Sequence, residues 1–419
     1  MRWLRPISTF RRRLCQTRQG RWVWRGLVVI ALLYILADFL AQDKPLLAQY
    51  QGKVYAPVAL EYLVDWGWRS WPDGLARLDW HTAEVDWAAW PLIPYDARYQ
   101  DVENASVSPF ESQQLSHWSN RHWLGTDELG RDLLAALIHA VRIDITVGLL
   151  AMMLAGILGL LLGSAAGFWG DHKWRLSRAS VVGAVIGLWP AWFYGFSVRQ
   201  WTLQQALQSH VFAFLGHLLL SLLLFSALWL GCIFLFRWLA KGSWWRQPVS
   251  IPLDLVVSRL IEVTVSIPVL FLILLILSLT QEGSLLWVML VIGFTRWTGI
   301  ARLVRGELLR IRQLDYLAAG ESMGFRERYL LLQHALPNAM GPVSIALAFG
   351  IANAILIEGF LSFIGLGLPP DVPTWGSLLN LGRENVHDWW LALFPGLALF
   401  ATVTLFNLLG ASLQEGKSR

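Results

Sequence analysis

The sequence predicts an all-α, polytopic transmembrane protein, and three observations predict it. Apolar residues make up 55% of the 419 residues, 25 Trp among them, and mean hydropathy is +0.47, whereas soluble domains hold about 45–50% apolar residues. Eight apolar runs, at 24–40, 141–168, 180–198, 211–236, 259–279, 285–299, 341–361 and 389–409, approach the roughly 20 residues that cross a bilayer as a helix. Arg and Lys gather beside alternate runs, the pattern of a chain whose cytoplasmic loops are basic. The formal charge of +5 therefore reads as membrane topology and gives no reason to expect nucleic acid. The two cysteines, Cys15 and Cys232, supply neither a disulfide framework nor a zinc set.

Residues 1–41 form a basic terminus and a first span. Arg2, Arg5, Arg11, Arg12, Arg13, Arg18, Arg21 and Arg25 all precede the first acid, Asp38, which places this end in the cytoplasm. A cleaved signal peptide is the competing reading, but the run is long and Asp38-Phe39-Leu40-Ala41-Gln42 is a poor small-residue cleavage site. Residues 42–131 turn acidic, with 13 Asp and Glu against six Lys and Arg through Gly130, plus eight Trp. Trp71-Pro72-Asp73-Gly74, Pro91, Pro94 and Asn104 predict a loop-rich, partly ordered periplasmic subdomain. Its aromatics suit a small core or the membrane interface, or else the reception of a cationic peptide.

Asp127 is expected to cap an interfacial helix over 128–140, with Arg142 snorkelling at the mouth of the span that follows, so that 132–170 is helix and second span. His172, Lys173, Arg175 and Arg178 mark the inner side again. Two further spans lie within 171–252, joined by 199–210, and Pro190 kinks the first; they either pad the lipid-facing rim or bind a regulator. Residues 253–419 hold the last four spans. Arg296, Arg302, Arg305, Arg310 and Arg312 lead into a charged loop, and Gly350, Ala352 and Ala354 beyond it suit close helix packing.

That loop, DYLAAGESMGFRERYLLLQHALPN at 315–338, is the candidate site. Asp315 can cap its first turn, Leu317, Ala318 and Ala319 favour helix, and Gly324 supplies the left-handed residue that ends it. Tyr316, Ala319, Gly320 and Met323 share a narrow face of small residues suited to a groove. A second short helix runs from Phe325 to Leu336 and is checked by Pro337, which has no N–H to continue the ladder. Helices this short draw their stability from a docking partner.

The spacing Ala318-Ala319-Gly320, Gly324, His334, Leu336-Pro337 resembles the signature loop of ABC-importer permeases, with Ala318 where the family has Glu and His334 where it has Ile. Gly125-Thr126-Asp127, Gly130-Arg131-Asp132, Arg142-Ile143 and LSFIGLGLPP with Trp375-Gly376 resemble the C-type permease of dipeptide, oligopeptide and nickel importers. Asp43-Lys44-Pro45-Leu46-Leu47 with Tyr50, Gly52 and Tyr55 is similar to their Yej branch, associated with peptide and microcin C uptake. The resemblance implies a type I permease core of six spans, to which the pair inside 171–252 and the periplasmic subdomain are added. It implies a bacterial inner-membrane location, both termini cytoplasmic, and pairing with a second, B-type permease. It also implies a periplasmic solute-binding protein and two ABC ATPases that grip Tyr316, Leu317, Ala318, Ala319, Gly320, Met323, Gly324, Leu336 and Pro337. ATP and Mg are then used by those ATPases, with no cofactor in this chain.

Glu262 and Glu358 are ionisable groups in apolar runs, where a central charge costs about 2.5–3.5 kcal/mol. They suit the transport pathway or the seam between permease subunits; interfacial snorkelling accounts equally for Glu262. The tail from Gly410 to Ser418 has five residues between its glycines, one too many for a phosphate-binding loop, and follows a span rather than a strand. No His-Glu-x-x-His or Gly-x-Ser-x-Gly occurs and the histidines are scattered, so neither a metal site nor a catalytic residue is expected. The reading is a transport subunit without enzymatic activity. A secondary transporter using Glu262 or Glu358, or a membrane enzyme using Asp127, Glu128 and Asp132, are the alternatives.

Overall fold

In a computed structural model of the chain, the described residues are 14, 17–72, 75, 78–81, 83, 85–114, 118–171, 173, 175–209, 211–240, 242–279, 285–369 and 371–418. Arg2, Arg5, Arg11, Arg12, Arg13, Cys15, Asp73, Gly74, His172 and Pro370, named above, lie outside them. Two units divide the chain, one drawn from residues up to Ser164 and from Ile261 onward, the other from Ala165–Leu260. The protein is 71% helical. The helical, multi-span fold is as expected, and five short strands lie among the described residues outside its helices.

In the first unit, helix α1 (Arg18–Leu40) is capped by Thr17, whose Oγ1 accepts the N–H of Gly20 at 3.0 Å. Beyond it, β1 (Leu47–Tyr50), β2 (Lys53–Tyr55) and β3 (Trp87–Ala89) form an antiparallel sheet in the order β2-β1-β3, with α2 (Pro57–Asp65) between β2 and β3 in sequence. Gln51 and Gly52 turn the β1–β2 hairpin with φ of 51° and 74°, the double left-handed conformation that matches strand twist. Ala48, Leu75 and Trp80 make a small core, against which Tyr50, Trp71 and Trp90 pack. Part of the tryptophan excess is thus internal, while Trp66 and Trp68 are exposed.

Helix α3 (Leu133–Ser164) is a single helix of 32 residues, so no separate interfacial helix occupies 128–140. Asp127 instead closes a turn: its Oδ1 accepts the N–H groups of Leu129 at 3.0 Å and Arg131 at 2.9 Å. Gly130, at φ 75°, redirects the chain, and the helix cap falls to Asp132, whose Oδ1 accepts the N–H of Ala135 at 2.7 Å. Against α3 lies α9 (Leu285–Arg312), and the contact is made by glycines. A Cβ on Gly159 would stand 2.6 Å from Cβ of Ile300, and one on Gly163 2.7 Å from the carbonyl oxygen of Ala301; small residues let the two backbones approach.

Helix α11 (Leu336–Phe363) packs on α3 through Gly148 against Ile355 and on α13 (Trp389–Ser418) through Gly410 against the ring of Phe349. Between them α12 (Trp375–Glu384), absent from the sequence reading, starts at a reciprocal cap between Thr374 and Ser377. Leu133, Ile145, Ile355, Trp375 and Leu391 belong to the core that joins these helices.

In the second unit, α4 (Arg178–Trp192) and α6 (Val211–Leu239) pack through Gly183 and Gly187 against the turn around Cys232, and Trp229 Nε1 donates to the carbonyl of Ala184 at 2.9 Å. Pro190 is followed by a wide turn at Phe193–Ser197, and α5 (Gln200–Ser209) joins the pair. Much of α6 is bare, Leu219, Leu223 and Phe234 included, as suits lipid. The strands β4 (Arg175–Ser177) and β5 (Pro248–Ser250) close the unit antiparallel. Asp171 then accepts, through Oδ1, the N–H groups of Asp254 at 2.9 Å and Leu255 at 3.1 Å, at the start of α7 (Leu253–Ser266). The Gly170-Asp171 turn and the Leu253-Asp254-Leu255 segment are thereby brought together at the base of the two added helices.

Among the described residues, seven helices are long and apolar enough to cross a membrane. The eighth expected span, 259–279, is interrupted between α7 and α8 (Val269–Leu279). Pro268 lacks an N–H and disfavours helix in Ile267, which breaks the ladder there.

Candidate functional site

Helix α9 ends in the charged turn at Arg310 and Arg312, and α10 (Asp315–Ser322) follows. Its cap position is Leu314, in extended conformation with no side-chain bond; Asp315 occupies the first turn, where it acts on the helix dipole instead of capping. At the other end Gly324 has φ 80°. The N–H of Phe325 reaches the carbonyl of Gly320 at 3.1 Å and that of Gly324 reaches Glu321 at 3.0 Å, the paired bonds of a Schellman stop.

Leu317 and Gly320 face inward, and a Cβ on Gly320 would stand 2.7 Å from Leu330 Cδ2. Tyr316, Ala318, Ala319 and Met323 are exposed, Met323 at 72%. The expected stripe is therefore divided: Gly320 belongs to the floor that seats α10, while Tyr316, Ala319 and Met323 form the free face. Phe325 and Tyr329 extend it, their ring centroids 5.5 Å apart.

Pro337 does not end a helix. A single turn at Glu327–Tyr329 runs into a wide turn at Leu330–Ala335 and then into α11, giving 37 continuous residues from Glu327 to Phe363, about 55 Å at 1.5 Å per residue. The wide turn lies where the proline ring would collide with a carbonyl of the preceding turn, and it absorbs the missing hydrogen bond. Leu336 is half-buried and Pro337 exposed. Asn338 Nδ2 donates to the Tyr316 hydroxyl at 3.1 Å, which ties α10 to the base of α11.

The two intramembrane glutamates are separated. Glu262 lies on an exposed face of α7. Glu358, on α11, is 1% exposed within the chain's own core, where Ser362 Oγ donates to its Oε1 at 2.6 Å. Its carboxyl meets that of Asp144 on α3, 0% exposed, whose Oδ2 accepts the N–H of Trp375 at 3.1 Å. Asp144 escaped the sequence reading; the available signal was a second ionisable residue two positions after Arg142 in an otherwise apolar run.

The loop that precedes α3 binds that end of the bundle together. Trp390 Nε1, on α13, donates to the carbonyl of Thr126 at 3.0 Å. His122 is fully buried, with Nδ1 2.8 Å from Asp132 Oδ2 and Nε2 3.3 Å from Asp101 Oδ2. Burial works against the imidazolium, yet the bond and charge of Asp132, then those of Asp101, outweigh it and hold the ring's proton above the ordinary imidazole range. The Gly410 to Ser418 tail is helical throughout, which is not the shape of a phosphate-binding loop.

Residues 239–418 match the family described as binding-protein-dependent transport system inner membrane component. The chain is 26% identical to the inner membrane ABC transporter permease protein YejE of Escherichia coli (strain K12), over 98% of its own length and 97% of that protein. It is 24% identical to the peptidoglycan transport system permease protein YejE of Agrobacterium fabrum, over 99% and 93%. Over 39% of its length and 54% of the relative's, it is 32% identical to the oligopeptide transport system permease protein OppC of Salmonella typhimurium. Residues 239–418 thus match the inner-membrane component of binding-protein-dependent transport systems, and over nearly its whole length the chain is similar to inner-membrane ABC transporter permeases.

Proposed function

We propose that this permease imports peptides or peptide-like solutes, paired with a second, B-type permease, and that two ATPases take hold of the loop at 315–336. Relatives matched over 99% and 39% of the chain are named for peptidoglycan and oligopeptide transport, which supports a peptide-like cargo. In this reading the loop and both termini are cytoplasmic, residues 42–131 are periplasmic, and ATP and Mg are used in the partner subunits. Glu262, on the exposed face of α7, is placed at the seam with the second permease.

One observation carries the coupling role. Helix α10 offers Tyr316, Ala319 and Met323 outward while Gly320 and the Tyr316–Asn338 bond seat it on α11, so a push on the free face is transmitted to a helix that runs the depth of the membrane. The test is the assembled transporter in proteoliposomes carrying Gly324→Trp. Space around Gly324 is open and only its φ of 80° is special, so the variant should remain in the membrane with ATPase activity no longer matched by uptake. Uptake at the normal ratio to ATP hydrolysis would overturn the lever.

A further inference from the structure

We propose that Asp144 and Glu358 bind one proton between them, and that this hydrogen-bonded carboxyl pair is the latch holding the start of α12 against α3 and α11.

The placement rests on packing. Gly148 of α3 receives the side chain of Ile355 of α11. One turn earlier on α3 and one turn later on α11, in antiparallel helices, stand Asp144 and Glu358, which is where the two carboxyls come within hydrogen-bonding reach. Helix α12 closes the third side. Gly376 sits so tightly on α11 that a Cβ there would stand 2.3 Å from the carbonyl oxygen of Gly359, and this approach delivers the N–H of Trp375 to Asp144.

Accounting for the four carboxyl oxygens leads to the proton. Asp144 Oδ2 accepts from Trp375 and Glu358 Oε1 accepts from Ser362. Asp144 Oδ1 and Glu358 Oε2 are enclosed and have no donor among the described residues. Two adjacent anions sealed from water repel one another and lack solvation, whereas a single O–H···O bond between the orphan oxygens satisfies both. The neighbouring charges are committed elsewhere. On α3, Arg142 is bonded to Asp38, and His139 lies between Asp38 and Asp96. On α12, Arg383 lies over the ring of Phe363 and beside Glu384. Glu358 is itself the one ionisable side chain of α11. Among the described residues, no cation is therefore placed to take the proton's part.

The pair ties α3 to α11 and α12, which lie more than 200 positions further along the sequence, at the opposite end of α11 from the docking loop. The proposal does not depend on what the transporter carries. Infrared difference spectroscopy of the purified complex in nanodiscs at neutral pH, with wild type set against Asp144→Asn/Glu358→Gln, is expected to show a protonated-carboxyl C=O band that shifts in D2O and is missing from the double variant. Absence of that band from wild type overturns the shared proton, whatever the variants do. For the latch, Asp144→Asn and Glu358→Gln singly are expected to keep the wild-type Tm, because an amide N–H replaces the acid O–H, while Asp144→Ala and Glu358→Ala lower it. Equal Tm for the alanine variants and wild type, or amides as damaging as alanines, overturns it.

Discussion

Arg142 of α3 grips Asp38 at the end of α1 with one nitrogen, Nη1 standing 2.8 Å from Oδ1 and 2.7 Å from Oδ2. Its Nε donates to the carbonyl of Tyr34 at 2.7 Å, and the Tyr62 hydroxyl of α2 donates to the same aspartate. An arginine that sequence alone sends snorkelling is instead the joint between α1, α2 and α3. Arg142 and Asp38 are half-buried, so the pair lies between the exposed and sealed cases. Arg142→Gln is expected to cost about 2–3 kcal/mol, less than the loss of a fully buried partner. A denaturation double-mutant cycle with Asp38→Asn should return a coupling well above that of a surface pair.

The clasp at His122 predicts a pH dependence. Its imidazolium is favoured in the folded state, so its stabilising contribution is complete below the ordinary imidazole value of about 6.5 and is lost as pH rises through the raised folded value. Thermal melts of the wild type should therefore fall with rising pH above that ordinary value. His122→Gln should flatten this part of the profile and lower the acid-side Tm; an unchanged slope would remove His122 as its source.

Gly320 and Gly324 should fail differently. Gly320→Leu has to displace Leu330 and unseat α10, with an expected loss of about 1–3 kcal/mol. At Gly324 the surroundings are open and the φ of 80° is the constraint, so Gly324→Asn should keep uptake coupled, while Gly324→Val pays roughly 1–2 kcal/mol of left-handed strain. Proteoliposome assays of uptake per ATP hydrolysed separate the two.

The α3–α9 seam predicts a packing limit. Gly163→Leu drives its Cβ onto the backbone of Ala301, which cannot give way as a flexible side chain would. The expected outcome is a Tm lowered more than by Gly156→Leu, where the neighbour is the flexible end of Leu347.

The helix-glycine break at 315–324 was legible because its signals are local. Gly324 stops α10 through its own backbone freedom, whereas the helical repeat grouped Gly320 with Tyr316, Ala319 and Met323 without telling which of them faces inward. Pro337 shows where locality fails: the stop it implies is cancelled by the wide turn at Leu330–Ala335, which depends on how that segment packs. Helix α12 was hidden for a similar reason, since Thr374 and Ser377 read as an ordinary polar turn until Trp375 is seen buried beneath it.

By itself the sequence determined that this chain lives in a membrane, because the length and apolarity of its runs leave backbone polar groups no other way to be satisfied than as helices. It also determined that a short helix ended by glycine interrupts those runs. Only the tertiary structure decided that Gly320 is a seat rather than part of the free face, and that Asp132 rather than Asp127 caps α3. Only it brought Asp144 and Glu358 together, because a carboxyl's partner is set by which helix packs beside it, and no residue's neighbours along the chain contain that information.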